Sequence, residues 1–197
     1  MRLNTAFFAQ PTPAVAAALL GTRLVRVLDG CRVSGLVCET EAYTGPDDLA
    51  SHARRYTPRS AIMYGPPGIA YVYLIYGFYH CLNVVTEADG KPGAVLIRAI
   101  FPDEGIDAMR LHRTVATDRH LTSGPGKLCR ALKITTVFNG TDLTTSPDLY
   151  LEEAMSVPAA RIEATPRIGV RGDAIALERR WRFVWIPDLP HQPGRAF

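Results

Sequence analysis

The dipeptide Asp29-Gly30 limits what this chain can fold into more than any other feature. It stands between two β-rich runs, "TRLVRVL" and "CRVSGLVCETEAY". A two-residue Asp-Gly loop favours the tight turn that joins neighbouring antiparallel strands, so a hairpin is predicted here. "IAYVYLIYGFYHCLNVVTEA" is predicted as a strand pair or one bent strand, broken at Gly77. After a turn at "DGKPG", the almost wholly apolar "AVLIRAI" fits a central strand covered on both faces. "ATPRIGV", "DAIALE" and "RWRFVWI" are expected to close the sheet, with an irregular tail after Pro187.

Helices are expected at "TPAVAAALLG", "DEGIDAMRLHR" and "SGPGKLCRALKI". In the first, Thr12 suits the N-cap, Pro13 the first helical position and Gly21 the stop. Ser123 suits the cap of the third. Thr44 to Pro67 carries turn residues and arginines without a period, a long loop of the kind that usually serves function. Hairpin signals outnumber βαβ spacings. The expected fold class is therefore mixed α/β (α+β), a mostly antiparallel curved sheet flanked by helices, in one domain over residues 1–197.

With 47% hydrophobic and 21% charged residues, the chain can bury a sizeable core, which excludes general disorder. A net charge of +3 permits nucleic-acid binding without requiring it, but arginines gather in "SHARRYTPR", "MRLHR" and "LERRWRF". The four cysteines form no C-x-x-C pair and have no histidine at ligand spacing, so no metal site is expected. They suit reduced thiols packed as small apolar groups. The N-terminal apolar run is short and interrupted by prolines, unlike a signal peptide. No stretch approaches the roughly 20 apolar residues of a membrane span. A cytoplasmic chain is expected.

Four segments could carry chemistry. Glu39 and Glu41 lie two apart, so on a strand they share one face, with Tyr43 beside them. They suit a solvated edge, or a working carboxylate next to the loop that holds His52. The segment from Gly68 to Asn83 holds four of the chain's eight tyrosines, at 71, 73, 76 and 79. One or two would pack a helix; four, with His80 and Asn83, suit a surface that stacks on bases or wedges into a duplex. Arg98, inside an apolar strand, needs an acidic partner if buried, and Glu41 is the candidate. "SGPGKL" offers free backbone N–H groups and Lys127 to a phosphate, without the spacing of a nucleotide-binding P-loop.

"ETEAYTGPDDLASH", "YVYLIYGFYHCLNVV", "AVLIRA" and "SGPGKLCRAL", in this order and spacing, closely resemble the alkyladenine (3-methyladenine) DNA glycosylase family. The likeness runs from about Leu19 to Ile186. It implies a monofunctional enzyme of base excision repair that flips a damaged purine from duplex DNA and hydrolyses its N-glycosidic bond. Carried over by position, Glu41 would deprotonate the attacking water, and Arg98 would help hold it with the backbone carbonyl of Ile168. Tyr43 would cover one face of the flipped base; His52 and Tyr73 would cover the other. Tyr76 would fill the gap left in the duplex, and Asn83 would crowd a purine 2-amino group. Met63 and Lys127 would lie along the DNA. The resemblance implies damaged double-stranded DNA as partner, no cofactor, no membrane, and a compact monomer of bacterial type used on the nucleoid. Two other readings compete: a non-catalytic nucleic-acid-binding module, and a carbohydrate-active hydrolase using Glu39 with Glu41.

Overall fold

The computed structural model describes residues 1–187, so the tail expected to be irregular lies outside the described residues. In chain order the elements are α1 (Thr5–Phe8), α2 (Thr12–Ala18), β1 (Arg23–Leu28), β2 (Cys31–Tyr43), β3 (Ala70–Ile75), β4 (Tyr79–Val85) and β5 (Ala94–Glu104). There follow α3 (Ile106–His112), α4 (Pro125–Ala131), β6 (Leu149–Glu152), β7 (Ile162–Thr165), α5 (Ala174–Glu178) and β8 (Arg182–Trp185). The strands form an eight-stranded, unclosed antiparallel sheet in the order β3-β4-β5-β2-β1-β6, with β8 added to β2 and β7 to β8. The mixed α/β expectation holds.

Asp29 and Gly30 both have positive φ (50° and 79°), the two-residue turn that the sequence demanded. At the second hairpin the loop between Ile75 and Tyr79 is three residues long, and in it Tyr76 (φ 54°) and Gly77 (φ 79°) also have positive φ. Tyrosine accepts this left-handed backbone only with strain, which puts its ring at the very tip.

The core lies on one face of the sheet. Val15 of α2 and Leu19 just after it, with Leu128 of α4 and Leu132 just after it, share one buried cluster with Val37, Leu82, Val84, Val95 and Ile97. Each such fully buried aliphatic side chain contributes about 1.5–3 kcal/mol. The loop between β2 and β3 covers the other face, where Ala53, Met63, Tyr71, Val85 and Ala94 form a smaller cluster.

Two offset bulges decide which side chains reach that second face. Val37 pairs with Ile100 and Glu39 with Ala99, which leaves Cys38 unpaired on β2. Thr40 then pairs with Ile97, which leaves Arg98 unpaired on β5. A strict alternation would put Glu39, Glu41 and Tyr43 on the core face with Val33 and Val37. The extra residue reverses the parity, so Thr40 and Ala42 turn inward and the carboxylates turn to the other side.

Several expectations need correction. Thr12 is not the N-cap of α2; Pro11 is, because the Thr12 hydroxyl donates instead to the buried Glu87 carboxylate (2.9 Å), which also accepts from Thr12 N (2.7 Å). Gly124, not Ser123, caps α4, while Ser123 pairs with Ala99. "DAIALE" is the helix α5, started by the Asp173 side chain accepting from Ala176 N at 2.8 Å. Of "ATPRIGV" only Ala164 and Thr165 stay in a strand, since Pro166 has no N–H to give and Arg167 turns into a buried ion pair. All four cysteines are free, but Cys31 is exposed rather than packed.

Candidate active site

On the loop-covered face lies a cavity of about 780 Å³, bordered by β3, β4, β5, the loop after β2, the start of α4 and residues 168–171. Tyr43, His52, Met63, Tyr73, Tyr76, Asn83, Arg98, Lys127 and Ile168 all line it. Glu41 has no exposed surface. It lies behind the wall formed by Tyr43, Arg98 and Ile168.

Three donors hold Glu41. Tyr43 Oη donates to Oε2 (2.7 Å), Arg98 Nη1 donates to Oε2 (3.1 Å), and Ile168 N donates to Oε1 (2.7 Å). At Ile168 it is the N–H that meets Glu41, whereas the expectation concerned its carbonyl and a water. A carboxylate offers about four acceptor positions, so one remains. Arg98 also donates through Nε to Glu39 Oε1 (2.7 Å), which accepts a second bond from Arg182 Nε (2.6 Å). Burial opposes the charge of Arg98, but Glu41 and Glu39 overrule it and raise its pKa. Burial, then the negative Glu41, raises the pKa of the Tyr43 phenol, so it stays protonated and acts as a donor.

The opposite wall is built from the tyrosine-rich strand. Tyr71 and Tyr73 share a face of β3, with ring centroids 5.1 Å apart. The His52 ring meets Tyr73 edge-on at 4.9 Å. Arg59 Nε donates to Tyr71 Oη (3.3 Å), which also shares a hydrogen bond with His52 Nδ1 (2.8 Å). Although the imidazole is open to the cavity, protein packed around it, together with the cations Arg59 and Arg54, lowers its pKa to about 4. It is neutral at physiological pH.

Asn83 is oriented by chemistry. Its Nδ2 donates to the carbonyls of Tyr71 (3.0 Å) and Cys81 (3.5 Å). Carbonyls only accept, so Oδ1 is the atom left for the cavity. Tyr76 is 77% exposed at the hairpin tip, on the rim. Lys127 sits in the first turn of α4 beside Gly124 and Gly126. Met63, expected along the DNA, is only 2% exposed and packs in the small cluster with Tyr71, so it borders the cavity from within the fold.

Asp48 and Arg167 escaped the sequence reading. Both side chains are fully buried and paired at 2.7 Å through Nη1 and Nη2. Arg167 also donates to the carbonyls of Ala42 (2.9 Å) and Ala176 (3.0 Å), and its guanidinium lies 4.7 Å from the Tyr43 ring centre. It thereby ties the loop after β2, α5 and the segment bearing Ile168 to the wall of the cavity. The signal was an arginine directly before "IGV" and two aspartates directly after "TGP".

Among the described residues no group of His, Cys, Asp and Glu could hold a metal ion, and no helix is long and apolar enough to cross a membrane. A family model described as Methylpurine-DNA glycosylase (MPG) matches residues 6–188. A protein of Methanocella arvoryzae is 50% identical over 179 residues, 90% of this chain and 88% of its own length. One from Anaeromyxobacter dehalogenans is 47% identical, over 100% of this chain and 89% of its own. One from Bacillus cereus is 44% identical, over 94% and 96%. All three bear the name "Putative 3-methyladenine DNA glycosylase".

Proposed function

This chain belongs to the methylpurine-DNA glycosylase family, and on that premise we propose how it works: it extrudes alkylated purines of the 3-methyladenine type from duplex DNA and hydrolyses the N-glycosidic bond with Glu41 as general base. The single observation that carries the reading is a carboxylate with three donors and one acceptor position left, set directly behind a cavity with aromatic walls.

Extruding a nucleotide costs a few kcal/mol of lost stacking and pairing. Tyr76, held at the tip by its own strained backbone, offsets this by entering the gap. Within the cavity the base stacks between Tyr43 on one side and His52 with Tyr73 on the other, each stacking contact contributing about 1–3 kcal/mol. The Oδ1 of Asn83 lies against the purine edge and crowds a 2-amino group. Lys127 and the N–H groups at the start of α4 take a backbone phosphate.

The attacking water occupies the remaining acceptor position of Glu41 and gives it a proton, while Arg98 and the Ile168 carbonyl fix its direction. Since Glu41 is fully covered without DNA, the water enters as Tyr43 adjusts to the stacked base. A purine alkylated at N3 or N7 is cationic and departs as a neutral base. Hypoxanthine is neutral and departs more slowly. Lys127, the lysine at the cavity, takes the phosphate and not the sugar carbon, so the product is an abasic site in an uncut strand. The chain acts as one domain and as a monomer.

The test is base release from a panel of duplexes carrying 3-methyladenine, 7-methylguanine or hypoxanthine, read as alkali-labile sites. The reading expects release of the cationic bases first and no cleavage before alkali. Tight binding to undamaged and damaged duplex alike, with no abasic product from any, would replace it with a non-catalytic binding module.

A further inference from the structure

A second groove, of about 790 Å³, lies behind the tyrosine-bearing hairpin. It shares Tyr79 and Gly126 with the first cavity, so α4 forms a floor common to both. The two are in close contact there: a Cβ on Gly126 would come within 2.7 Å of the Tyr79 ring. The hairpin tip is the ridge between them, with Tyr76 on the first side and Phe78, 67% exposed, on the second.

The groove is basic. Arg26, Arg130 and Lys133 line it, with the imidazoles of His80 and His112, and no acidic residue is among its lining. Arg130 and Lys133 are both exposed at the end of α4. Lys133 holds a φ of 51°, a left-handed backbone that glycine would adopt without strain. Placing a lysine there carries an energetic penalty in the fold and puts a charge at the groove. Arg26 lies with its guanidinium 4.4 Å from the Phe138 ring centre, and its buried Nε has no acceptor among the described residues.

We propose that this groove binds the sugar–phosphate backbone of the duplex flanking the lesion, beyond the point at which the hairpin enters. The proposal rests on the reading of Tyr76 as the residue that enters the duplex. If Tyr76 stands in the stack, DNA on the Phe78 side of the ridge must pass over α4 toward its C-terminal end. The seven residues of α4 span about 10 Å, which is about three nucleotides of axial rise. Cations at that distance, unopposed by acids, match phosphates and carry no information about sequence. Cations at a helix C-terminus also complement its dipole, so the test must separate this structural effect from contact with DNA.

Binding of undamaged and lesion-bearing duplex is measured by fluorescence anisotropy over a salt series, for the parent protein and Arg130→Gln/Lys133→Gln. Each lost phosphate contact lowers the slope of log affinity against log salt by about 0.9, so the double variant is expected to fall by about 1.8. Shortening the duplex on one side of the lesion, but not on the other, should abolish the difference. Base release at saturating enzyme should stay at the parental rate. Lys133→Gly is the control for structure: it removes the charge and the backbone strain together, so its melting temperature should hold or rise while the slope falls by about 0.9. Equal slopes in parent and double variant, or a lost slope that survives shortening on either side, overturn the proposal. Because undamaged duplex reports on the groove, failure of base release would count against the catalytic reading and leave this result interpretable.

Discussion

Glu41 and Asp48 are both carboxylates without exposed surface, each facing an arginine, yet their surroundings differ by one hydrogen bond. Asp48 accepts four: two from Arg167 at 2.7 Å, one from Thr44 N at 3.2 Å and one from Ala50 N at 3.3 Å. Its acceptor capacity is used up, and it serves as a joint between the loop and the segment behind Tyr43. Glu41 accepts three, from Tyr43, Arg98 and Ile168, each of which lines the cavity. A buried carboxylate with all its positions filled is structure. One with a position spare, next to the cavity, is the one proposed to take a proton.

The comparison breaks most readily at Asp48. Replacing it with alanine leaves Arg167 buried and uncompensated, so Asp48→Ala should destabilise the protein by about 3–5 kcal/mol in urea unfolding. A loss under about 1 kcal/mol would mean that the pair is no joint.

Tyr43→Phe sharpens the same contrast at the other carboxylate. It keeps the ring for stacking but removes one donor to Glu41, a hydrogen bond to a charged group worth about 1.5–3 kcal/mol. Arg98 and Ile168 N remain, so base release should fall by about tenfold, the lower end of that range. A collapse of activity as deep as that from loss of Glu41 would make the phenol itself part of the chemistry.

The smallest effect should appear across the cavity. His52 has its pKa lowered from 6.5 to about 4, so the unfolded chain binds the proton first as pH falls. Its neutral form therefore contributes stability above about 6.5, and that contribution is lost progressively as pH drops toward 4. His52→Gln should flatten the pH dependence of unfolding in that window, measured against the parent. Parallel curves would mean that the imidazole is not held neutral.

Much of this was legible in the chain. Asp29-Gly30 announced its hairpin because two consecutive residues at positive φ admit few sequences. Arg98 announced an acidic partner because a cation in an apolar strand must find one, and Glu41 (3.1 Å) shares that part with Glu39 (2.7 Å). The facing direction of Glu39 and Glu41 was not legible. Alternation from Val33 would have put them in the core, and only the bulge at Cys38, set by strand pairing across the sheet, reverses the parity. The joint between Asp48 and Arg167 spans 119 residues, a separation at which local pattern carries no signal. At α5 the alternation of "DAIALE" imitated a strand, and the Asp173 cap decided for a helix.

The most direct test is single-turnover base release from a 3-methyladenine duplex by Glu41→Gln at saturating enzyme. The amide keeps the shape of the carboxylate but cannot take a proton from water. The account predicts a rate lowered by about 10²–10⁴-fold, with duplex affinity close to that of the parent. A rate within a few-fold of the parent would remove Glu41 from the chemistry and contradict the account at its centre.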